Sequence, residues 1–333
     1  MDSMNSQLAE MLREFKSRSK TKVILESGLF MLILLFLFVG NALTLLVLLL
    51  NRRMRTIPNM FVASLAVSDL LLGVFSVGAL GIPTLVTSHW PFNDTICQFQ
   101  GFIIIAMVVA SIQTLVLLAV NRYFRIVKST KYRRYFTKKK TLTMIFLTWL
   151  YSICFPLIHL LRGKKMIFHP SKFFCSFPIE SNAFLAYGFR LYVGFLTGVI
   201  IYCYIRIFTT VRHHNNNFPG NPINPVNVEE FKVALTIFVV VVLFNLCWIP
   251  VLTIDLVDTV HQKWTFPPEA YLVYTFLATI SSALNPLIYG VLNKSFRKNY
   301  LKVLRCRCCR SQAVVEPLAL RVRARVVAMG PLP

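Results

Sequence analysis

The chain has 333 residues, of which 56% are hydrophobic and only 15% are charged, and its mean hydropathy is +0.62. Because soluble globular proteins carry about 25% charged residues, these values exclude a soluble domain and predict a membrane protein. The net charge of +23 could indicate nucleic-acid binding, but the basic residues flank apolar runs and lie in short loops. That distribution is typical of topology signals and of contact with anionic lipid, so we predict membrane lipid as a partner and no nucleic acid.

Seven apolar segments follow one another along the chain, and each is long enough to cross a hydrocarbon core of roughly 30 Å. A backbone surrounded by lipid must satisfy its own hydrogen bonds, so every segment should be an α-helix. We therefore expect an all-α, seven-transmembrane bundle. The segments centre on residues 27–51, 58–87, 95–121, 141–161, 182–205, 233–254 and 270–293.

Lysine and arginine are distributed unevenly between the two sets of loops. The regions after spans one, three, five and seven carry 25 of them, whereas the N-terminus and the remaining loops carry 10. Since cytoplasmic loops are enriched in these residues, the N-terminus is predicted to lie outside. The five basic residues between Arg13 and Lys22 argue against this orientation, but the total favours it.

Four parts follow from this topology: an extracellular N-terminus (1–22), the membrane domain (23–293), an interfacial helix (294–305) and a disordered cytoplasmic tail (306–333). The interfacial helix is predicted because Phe296 and Tyr300 share a face opposite the basic residues, as in helices that lie along a bilayer. Cysteines beside such a basic amphipathic helix are common sites of S-palmitoylation, and zinc binding is the weaker alternative because no fourth ligand is nearby. The cysteines concerned are Cys306, Cys308 and Cys309.

Two features are predicted on the outer side. Cys97, at the start of the third span, and Cys175, in the loop after the fourth, should form a disulfide because the outside is oxidising. The bridge would hold this loop over the mouth of the bundle. Asn93-Asp94-Thr95 is a glycosylation sequon on the same side, with Asn93 as the acceptor.

Ionisable residues inside the spans are costly and therefore indicate function. Asp69 is the acid of the second span, and a carboxylate there must be paired, hydrated or bound to a cation. Oxygen ligands suit a small hard cation such as Na⁺, while a protonated, hydrogen-bonded Asp69 with a packing role is the alternative. Apart from this ion we predict no cofactor and no metal. The candidate partners are Asn41, Ser111, Ser281, Ser282 and Asn285.

Two further polar residues leave alternatives open. Arg190 in the fifth span either reaches the outer interface or faces the cavity and meets Asp255 at the outer end of the sixth. His159, near the outer end of the fourth span, either lines a pocket or is a hydrogen-bonded histidine.

None of the common enzyme motifs is present, which predicts that the protein is not an enzyme. A seven-helix transporter or ion pump and a non-signalling membrane scaffold are the alternatives to a receptor.

Short motifs near the ends of the spans resemble those of rhodopsin-like (class A) G-protein-coupled receptors. The first are Gly40-Asn41, the Asp69 segment LAVSD, and Asn121-Arg122-Tyr123 at the inner end of span three. The others are Trp149, Cys247-Trp248-Ile249-Pro250 and Asn285-Pro286-Leu287-Ile288-Tyr289. The resemblance covers residues 25–309. It implies a plasma-membrane receptor that acts through a heterotrimeric G protein, with arrestin and a receptor kinase as further partners.

The same resemblance assigns an activation switch. Arg122 resembles the arginine restrained in the resting state, and Glu229 or Glu230 stands where the family often places its restraining acid. Trp248 resembles the toggle tryptophan below the ligand, and activation would move the sixth helix outward. Asn121 replaces the usual aspartate and Leu196 the usual proline of span five. The switch residues are Arg122, Tyr123, Tyr204, Glu230, Phe244, Trp248, Pro250, Asn285, Pro286 and Tyr289.

Within this family the segments FVVVVLFNLCWIP, YGVLNKSFRKNY and Cys175-Ser176-Phe177 are similar to melatonin receptors. His159 and Ile179 stand where those receptors use ligand-binding amides, so the resemblance implies a different ligand: an indole, another small molecule, a lipid or a peptide. Ile104 replaces the aspartate that binds amines, and Thr279 the lysine that binds retinal. The expected ligand contacts are Ile104, Met107, Val108, His159, Phe177, Ile179, Trp248, Leu252, Asp255, Tyr271 and Thr275.

Overall fold

The computed structural model describes residues 2–178, 183–217 and 225–305 of the chain. Over these residues it is almost entirely helical, and seven helices are long and apolar enough to cross a membrane. The predicted seven-helix membrane bundle is therefore confirmed. The seven spans are Lys20–Leu50, Ile57–Thr87, Asp94–Ile126, Lys138–Leu161, Leu191–His213, Phe231–His261 and Pro268–Leu292.

The elements follow one another in a simple order. A helix precedes the first span, a β-hairpin lies between the fourth and fifth, and a short helix follows the seventh. The helices are α1 (Asp2–Lys16), α2 (Lys20–Leu50), α3 (Ile57–Leu72), α4 (Ile82–Thr87), α5 (Asp94–Ile126), α6 (Ser129–Tyr135), α7 (Lys138–Leu161), α8 (Ala183–Asn217), α9 (Pro225–His261), α10 (Pro268–Leu292) and α11 (Lys294–Leu304). Residues Arg52–Met54 form a 3₁₀ turn, and the strands are β1 (Ile167–His169) and β2 (Phe174–Ser176).

The third span, α5, is the centre of the bundle. It packs against α3, α7, α8 and α9, and its inward residues, such as Leu115 and Leu118, are fully buried. Large apolar residues on the outer faces, such as Leu32, Phe146 and Leu246, are exposed instead. An outward-facing apolar surface on every span is what a lipid environment requires, since lipid tails are as apolar as the core.

The β-hairpin closes one end of the bundle, which we call the disulfide end. Its strands are antiparallel, with Phe168 opposite Cys175, and the predicted disulfide links Cys175 to Cys97 of α5. The hairpin lies so close to α5 that a Cβ on Gly101 would be 2.8 Å from the carbonyl oxygen of Cys175. Glycine at position 101 is therefore part of the fit between hairpin and helix.

The second span contains an unpredicted π-helical stretch. Between α3 and α4, residues Gly73–Gly81 form wider turns with i→i+5 hydrogen bonds. A Cβ on Gly78 would lie 2.8 Å from the carbonyl oxygen of Gly73. In these turns the carbonyl of Ser76 also accepts a hydrogen bond from Gln100 Nε2 at 3.0 Å, which ties the stretch to α5.

The short helix α11 follows the seventh span directly, as predicted. Asn293 caps it by accepting hydrogen bonds from the backbone N–H groups of Ser295 and Phe296. Phe296 and Tyr300 are buried against the bundle, and the Tyr300 hydroxyl lies 2.6 Å from Thr44 Oγ1 of the first span. We call this end, which also holds Arg122, the arginine end.

The N-terminal helix α1 packs on the disulfide end through Phe15 and the linker residue Arg18. Phe15 is buried, with its ring centroid 5.5 Å from that of Phe173 in the hairpin. The Arg18 guanidinium stacks on Phe15, forms an ion pair with buried Glu26, and donates to the Leu85 carbonyl at 2.7 Å. One of the basic residues that argued against the predicted topology is thus neutralised within the protein.

We expect Arg18→Ala to destabilise the protein, because it leaves the Glu26 carboxylate buried without its cation, a loss of about 3–5 kcal/mol. Lys22→Ala is the matched control. Lys22 pairs with Glu269 at 3.1 Å, but both side chains are largely exposed, and such pairs contribute little. Thermal unfolding of the purified variants should show a lower midpoint for Arg18→Ala alone; equal midpoints would contradict the structural importance of the buried pair.

Candidate functional site

A cavity of about 250 Å³ opens at the disulfide end, between the hairpin and the spans. Most of its wall is apolar and partly aromatic, and its polar groups are concentrated where the hairpin faces α9 and α10. Such an arrangement is typical of a small-molecule site. The principal lining residues are Leu72, Ser76, Val77, Ile104, Val108, Phe155, Lys172, Phe174, Phe177, Trp248, Leu252, Asp255, Asp258, Trp264, Tyr274, Thr275 and Thr279.

Seven of the expected ligand contacts are in this wall: Ile104, Val108, Phe177, Trp248, Leu252, Asp255 and Thr275. Three others are not among the residues that line the cavity. Met107 is buried in a cluster with Leu72 and Ala106, and Tyr271 is bonded to Asp258. His159 packs edge-to-face on Phe177 at 6.0 Å. Ile179 lies outside the described residues, as does the side chain of Arg190.

The main polar feature of the cavity is an ion pair between the hairpin and α9. Lys172 Nζ lies 2.9 Å from Asp255 Oδ1, and the Tyr274 hydroxyl donates to Asp255 Oδ2 at 2.9 Å. Among the described residues, Lys172 is therefore the cation that pairs with Asp255; the side chain of Arg190, the partner considered from the sequence, lies outside them. Lys172 was not among the ligand contacts expected from the sequence. Its position three residues before Cys175, in a loop tied over the cavity, is the signal that could have identified it.

A second acid, Asp258, lies one turn further along α9 and is buried, whereas Asp255 is only partly buried. It accepts hydrogen bonds from the backbone and hydroxyl of Thr265, at 2.9 and 2.6 Å, and from the Tyr271 hydroxyl at 2.8 Å. Three donors therefore stabilise its charge. This acid closes the loop between α9 and α10, and its oxygens are engaged within the protein.

His169 fills the space behind Lys172. Its ring lies 5.1 Å from Trp264 and 4.8 Å from Tyr271, and the residue is buried. Burial, and then the positive charge of Lys172, hold the pKa of His169 well below its ordinary value near 6.5. His169 is consequently neutral in the folded protein.

The floor of the cavity is formed by Trp248. Its ring is stacked on Phe244 at 5.6 Å, and its Nε1 donates to Ser281 Oγ of α10 at 3.1 Å. Trp248 and Phe244 both lie on α9, towards the arginine end from Asp255. A ligand in the cavity would therefore touch the same helix at its polar end and at its tryptophan.

The predicted sodium-site residues come together only in part. Asp69 is buried and accepts hydrogen bonds from Asn285 Nδ2 at 2.8 Å and from Ser282. The hydroxyl oxygens of Ser111 and Ser68 are hydrogen-bonded to each other at 3.0 Å. Ser281 bonds Trp248, and Asn41 donates to the carbonyls of Leu37 and Ser282. The Asp69 carboxylate thus connects the second span to the seventh. The other candidates, Ser111, Ser281 and Asn41, form their hydrogen bonds with residues other than Asp69.

The predicted switch residues gather at the arginine end. Arg122 is buried, as are Tyr204 and Tyr289, whose hydroxyls have no hydrogen-bond partner among the described residues. Asn121 donates to the Tyr132 hydroxyl of α6 at 3.3 Å, a contact not anticipated from the sequence. The Glu230 side chain lies outside the described part of the chain, so its pairing with Arg122 stays a prediction.

Two modification sites were also predicted. Asn93 is exposed and caps α5 by accepting a hydrogen bond from the Ile96 N–H at 3.0 Å. Cys306, Cys308 and Cys309 fall outside the described residues. Acceptance of a glycan or an acyl chain at these positions stays a prediction.

These features define a seven-helix membrane receptor: a cavity at one end, a buried arginine at the other, and helices joining them. The profile of the 7 transmembrane receptor (rhodopsin family) matches residues 40–289, three quarters of the chain. The chain belongs to this family of G-protein-coupled receptors, which confirms the resemblance found in the sequence. A seven-helix transporter is correspondingly disfavoured.

Among known proteins, the chain is similar to melatonin receptors. Melatonin receptor type 1A of Mus musculus is 30% identical, over 83% of this chain and 79% of the relative. Type 1A-A of Danio rerio is 31% identical, over 81% and 77% respectively. The crystal structure of squid rhodopsin superposes with a TM-score of 0.76, covering 89% of this chain and 90% of that one at 20% identity, which shows the shared fold.

The neutral state of His169 predicts a pH dependence. Below about pH 6.5 the unfolded chain takes up a proton at this histidine and the folded protein does not, so stability should fall as the pH falls. His169→Phe keeps an aromatic ring and removes the titration, so its melting temperature should fall less on acidification. The exposed His89→Phe substitution is the control. The measurement is the melting temperature as a function of pH for the unmutated protein and the two variants. If it depends on pH equally in all three, His169 is not held neutral by the fold.

Proposed function

We propose that the protein is a plasma-membrane receptor with its N-terminus outside, which binds a ligand in the cavity at the disulfide end and activates a heterotrimeric G protein at the arginine end. The observation that carries this proposal is the continuity of α9. The helix presents Asp255 and Trp248 to the cavity and extends over 37 residues, about 55 Å, to the other end of the bundle. A ligand that binds more tightly to one placement of this helix increases the fraction of receptor molecules in that conformation.

The orientation rests on charge and on the disulfide. The arginine-end loops carry most of the lysines and arginines, as cytoplasmic loops do. A disulfide is expected on an oxidising side. We further propose arrestin, a receptor kinase and inner-leaflet lipid as partners at the arginine end. Acylation at the cysteines after α11 would add to membrane contact there.

The activating movement is proposed to be an outward swing of α9. Pro250 lies inside this helix, where proline removes a backbone hydrogen bond and allows bending. At the arginine end the buried hydroxyls of Tyr204 and Tyr289 have no partner among the described residues, and a rearrangement could supply one. Arg122, held between these helices, would then be released to contact the G protein.

We expect Arg122→Ala to abolish most G-protein activation, because the buried cation at the arginine end is lost. Glu230→Ala should instead raise ligand-independent activation several-fold, because it removes the proposed restraint on α9. A promiscuous G-protein assay at matched surface expression measures both. Lys165→Ala and Glu10→Ala remove exposed charges at the disulfide end and are the controls for the two substitutions. Basal activity in Glu230→Ala equal to that of Glu10→Ala would contradict the restraint.

The relatives are named for melatonin, and we propose that this chain prefers another ligand. His159 and Ile179 replace hydrogen-bonding amides implied by the resemblance, and sites that lose polar partners lose selectivity. His159 also packs edge-to-face on Phe177 and is not among the residues that line the cavity. Radiolabelled melatonin should therefore bind weakly or not at all to membranes containing the receptor. Saturable, high-affinity binding would overturn this part of the proposal.

A further inference from the structure

The Lys172–Asp255 pair connects a fixed part of the receptor to the helix proposed to move. The Lys172 carbonyl accepts a hydrogen bond from Thr275 Oγ1 at 2.9 Å. The next residue, Phe173, adopts a left-handed backbone with φ +60° and packs against Phe15 of α1. Two residues later, Cys175 is disulfide-bonded to α5. Lys172 cannot follow α9 without disturbing these contacts, so the ion pair holds α9 against the hairpin.

The two partners are buried to different extents. The Lys172 side chain is only 7% exposed, whereas that of Asp255 is 31% exposed. Asp255 also keeps a hydrogen bond from the Tyr274 hydroxyl if the lysine leaves. A buried charge that loses its partner costs far more than an exposed one. Asp255 can therefore be released to water, while the Lys172 ammonium needs an anion in the cavity.

We propose that the ligand is an organic acid with a compact apolar body, whose carboxylate replaces Asp255 as the partner of Lys172 and so releases α9. The proposal rests on the function proposed above, because it requires that the cavity bind the activating ligand. The ammonium keeps a counter-ion throughout the exchange, and the rings of Tyr274 and Tyr271, at 4.2 and 5.4 Å from Nζ, continue to stabilise it. The freed end of α9 is the end that carries Asp255.

The remaining cavity wall suits the body of such an acid. Away from Lys172 it is formed by Ile104, Val108, Phe177, Trp248 and Leu252. A volume of about 250 Å³ is slightly below the usual range for small-molecule sites, roughly 300–1,000 Å³, which favours a single or fused aromatic ring over a long acyl chain or a peptide. Asp258 also lines the cavity, but its two oxygens already accept hydrogen bonds from Thr265 of the α9–α10 loop and from Tyr271 of α10.

An amine of the same shape would act in the opposite way. To bind the cavity acid it must compete for Asp255, and success would leave the Lys172 ammonium buried without an anion. An uncharged amide lacks the charge needed to replace the carboxylate. The difference in burial within the ion pair therefore predicts an order of binding strength. Among compounds that share one ring system, the acid should bind most tightly, the amide less tightly and the amine least.

Nine compounds test this order: the acetic acid, acetamide and ethylamine derivatives of benzene, indole and naphthalene. The readout is the melting temperature of the purified full-length receptor at millimolar compound. We expect a rise of a few degrees with at least one acid and no rise with the amide or amine on the same ring. A rise with the amines, or none with any of the three acids, would overturn the proposal.

Two substitutions locate the interaction. Lys172→Gln should eliminate the shift given by the acid, whereas Lys263→Gln, an exposed lysine at the same end, should keep it. If Lys172→Gln does not fold, Asp255→Asn still decides. It removes the internal competitor, so the acid should bind about tenfold more tightly and basal signalling should rise. Acid affinity and basal signalling unchanged in Asp255→Asn would refute the exchange.

The binding assay separates this inference from the proposed function. It needs no G protein, so stabilisation by acids without any signalling in cells would contradict the proposed function and leave the ligand class standing. Signalling that depends on Arg122 but is unaffected by the acids would support the proposed function and contradict the ligand class.

Discussion

The disulfide-bonded hairpin is the constraint on which the disulfide end of this receptor depends. Cys97 and Cys175 join β2 to the central helix α5, and Gly101 lets the two backbones approach closely. One short segment thereby supplies Lys172 and Phe177 to the cavity and Phe173 to the packing of α1. Because the hairpin is fixed on one side, every contact it makes with α9 resists movement of that helix.

Both ends of the bundle contain buried polar atoms without a hydrogen-bond partner among the described residues, including Ser27 Oγ and His169 Nε2 at the disulfide end. At the disulfide end, the acids of α9 are paired or hydrogen-bonded, and Arg18 neutralises Glu26. At the arginine end, buried tyrosine hydroxyls on α8 and α10 have no partner among the described residues. Buried polar groups without partners raise the free energy of the arrangement that leaves them so. A rearrangement that gives these tyrosine hydroxyls a partner can thus be favourable, while separation of Lys172 from Asp255 requires an exchange of partners.

Local sequence signals were sufficient for the spans, the disulfide and α11, because each depends on one segment or one cysteine pair. The family motifs pointed to Trp248, which lines the cavity, and to Arg122, which is buried, because each motif is a short local segment. Contacts between distant segments could not be derived in this way: Lys172 with Asp255, Arg18 with Glu26, and Asn121 with Tyr132. Helical periodicity alone also left it open which side of α5 faces the cavity. Met107 belongs to the buried cluster with Leu72, while its neighbour Val108 lines the cavity.

The π-helical stretch in the second span has a consequence for comparing this receptor with its relatives. A π turn contains more residues than an α turn, so Gly73–Gly81 changes the rotational phase of everything that follows in α4. The cavity residues Ser76 and Val77 lie inside the stretch. If the second span of a relative is α-helical throughout, an ungapped alignment will pair inward-facing residues of one protein with outward-facing residues of the other. Ligand selectivity can thus differ between relatives with nearly the same side chains, through the phase of one helix.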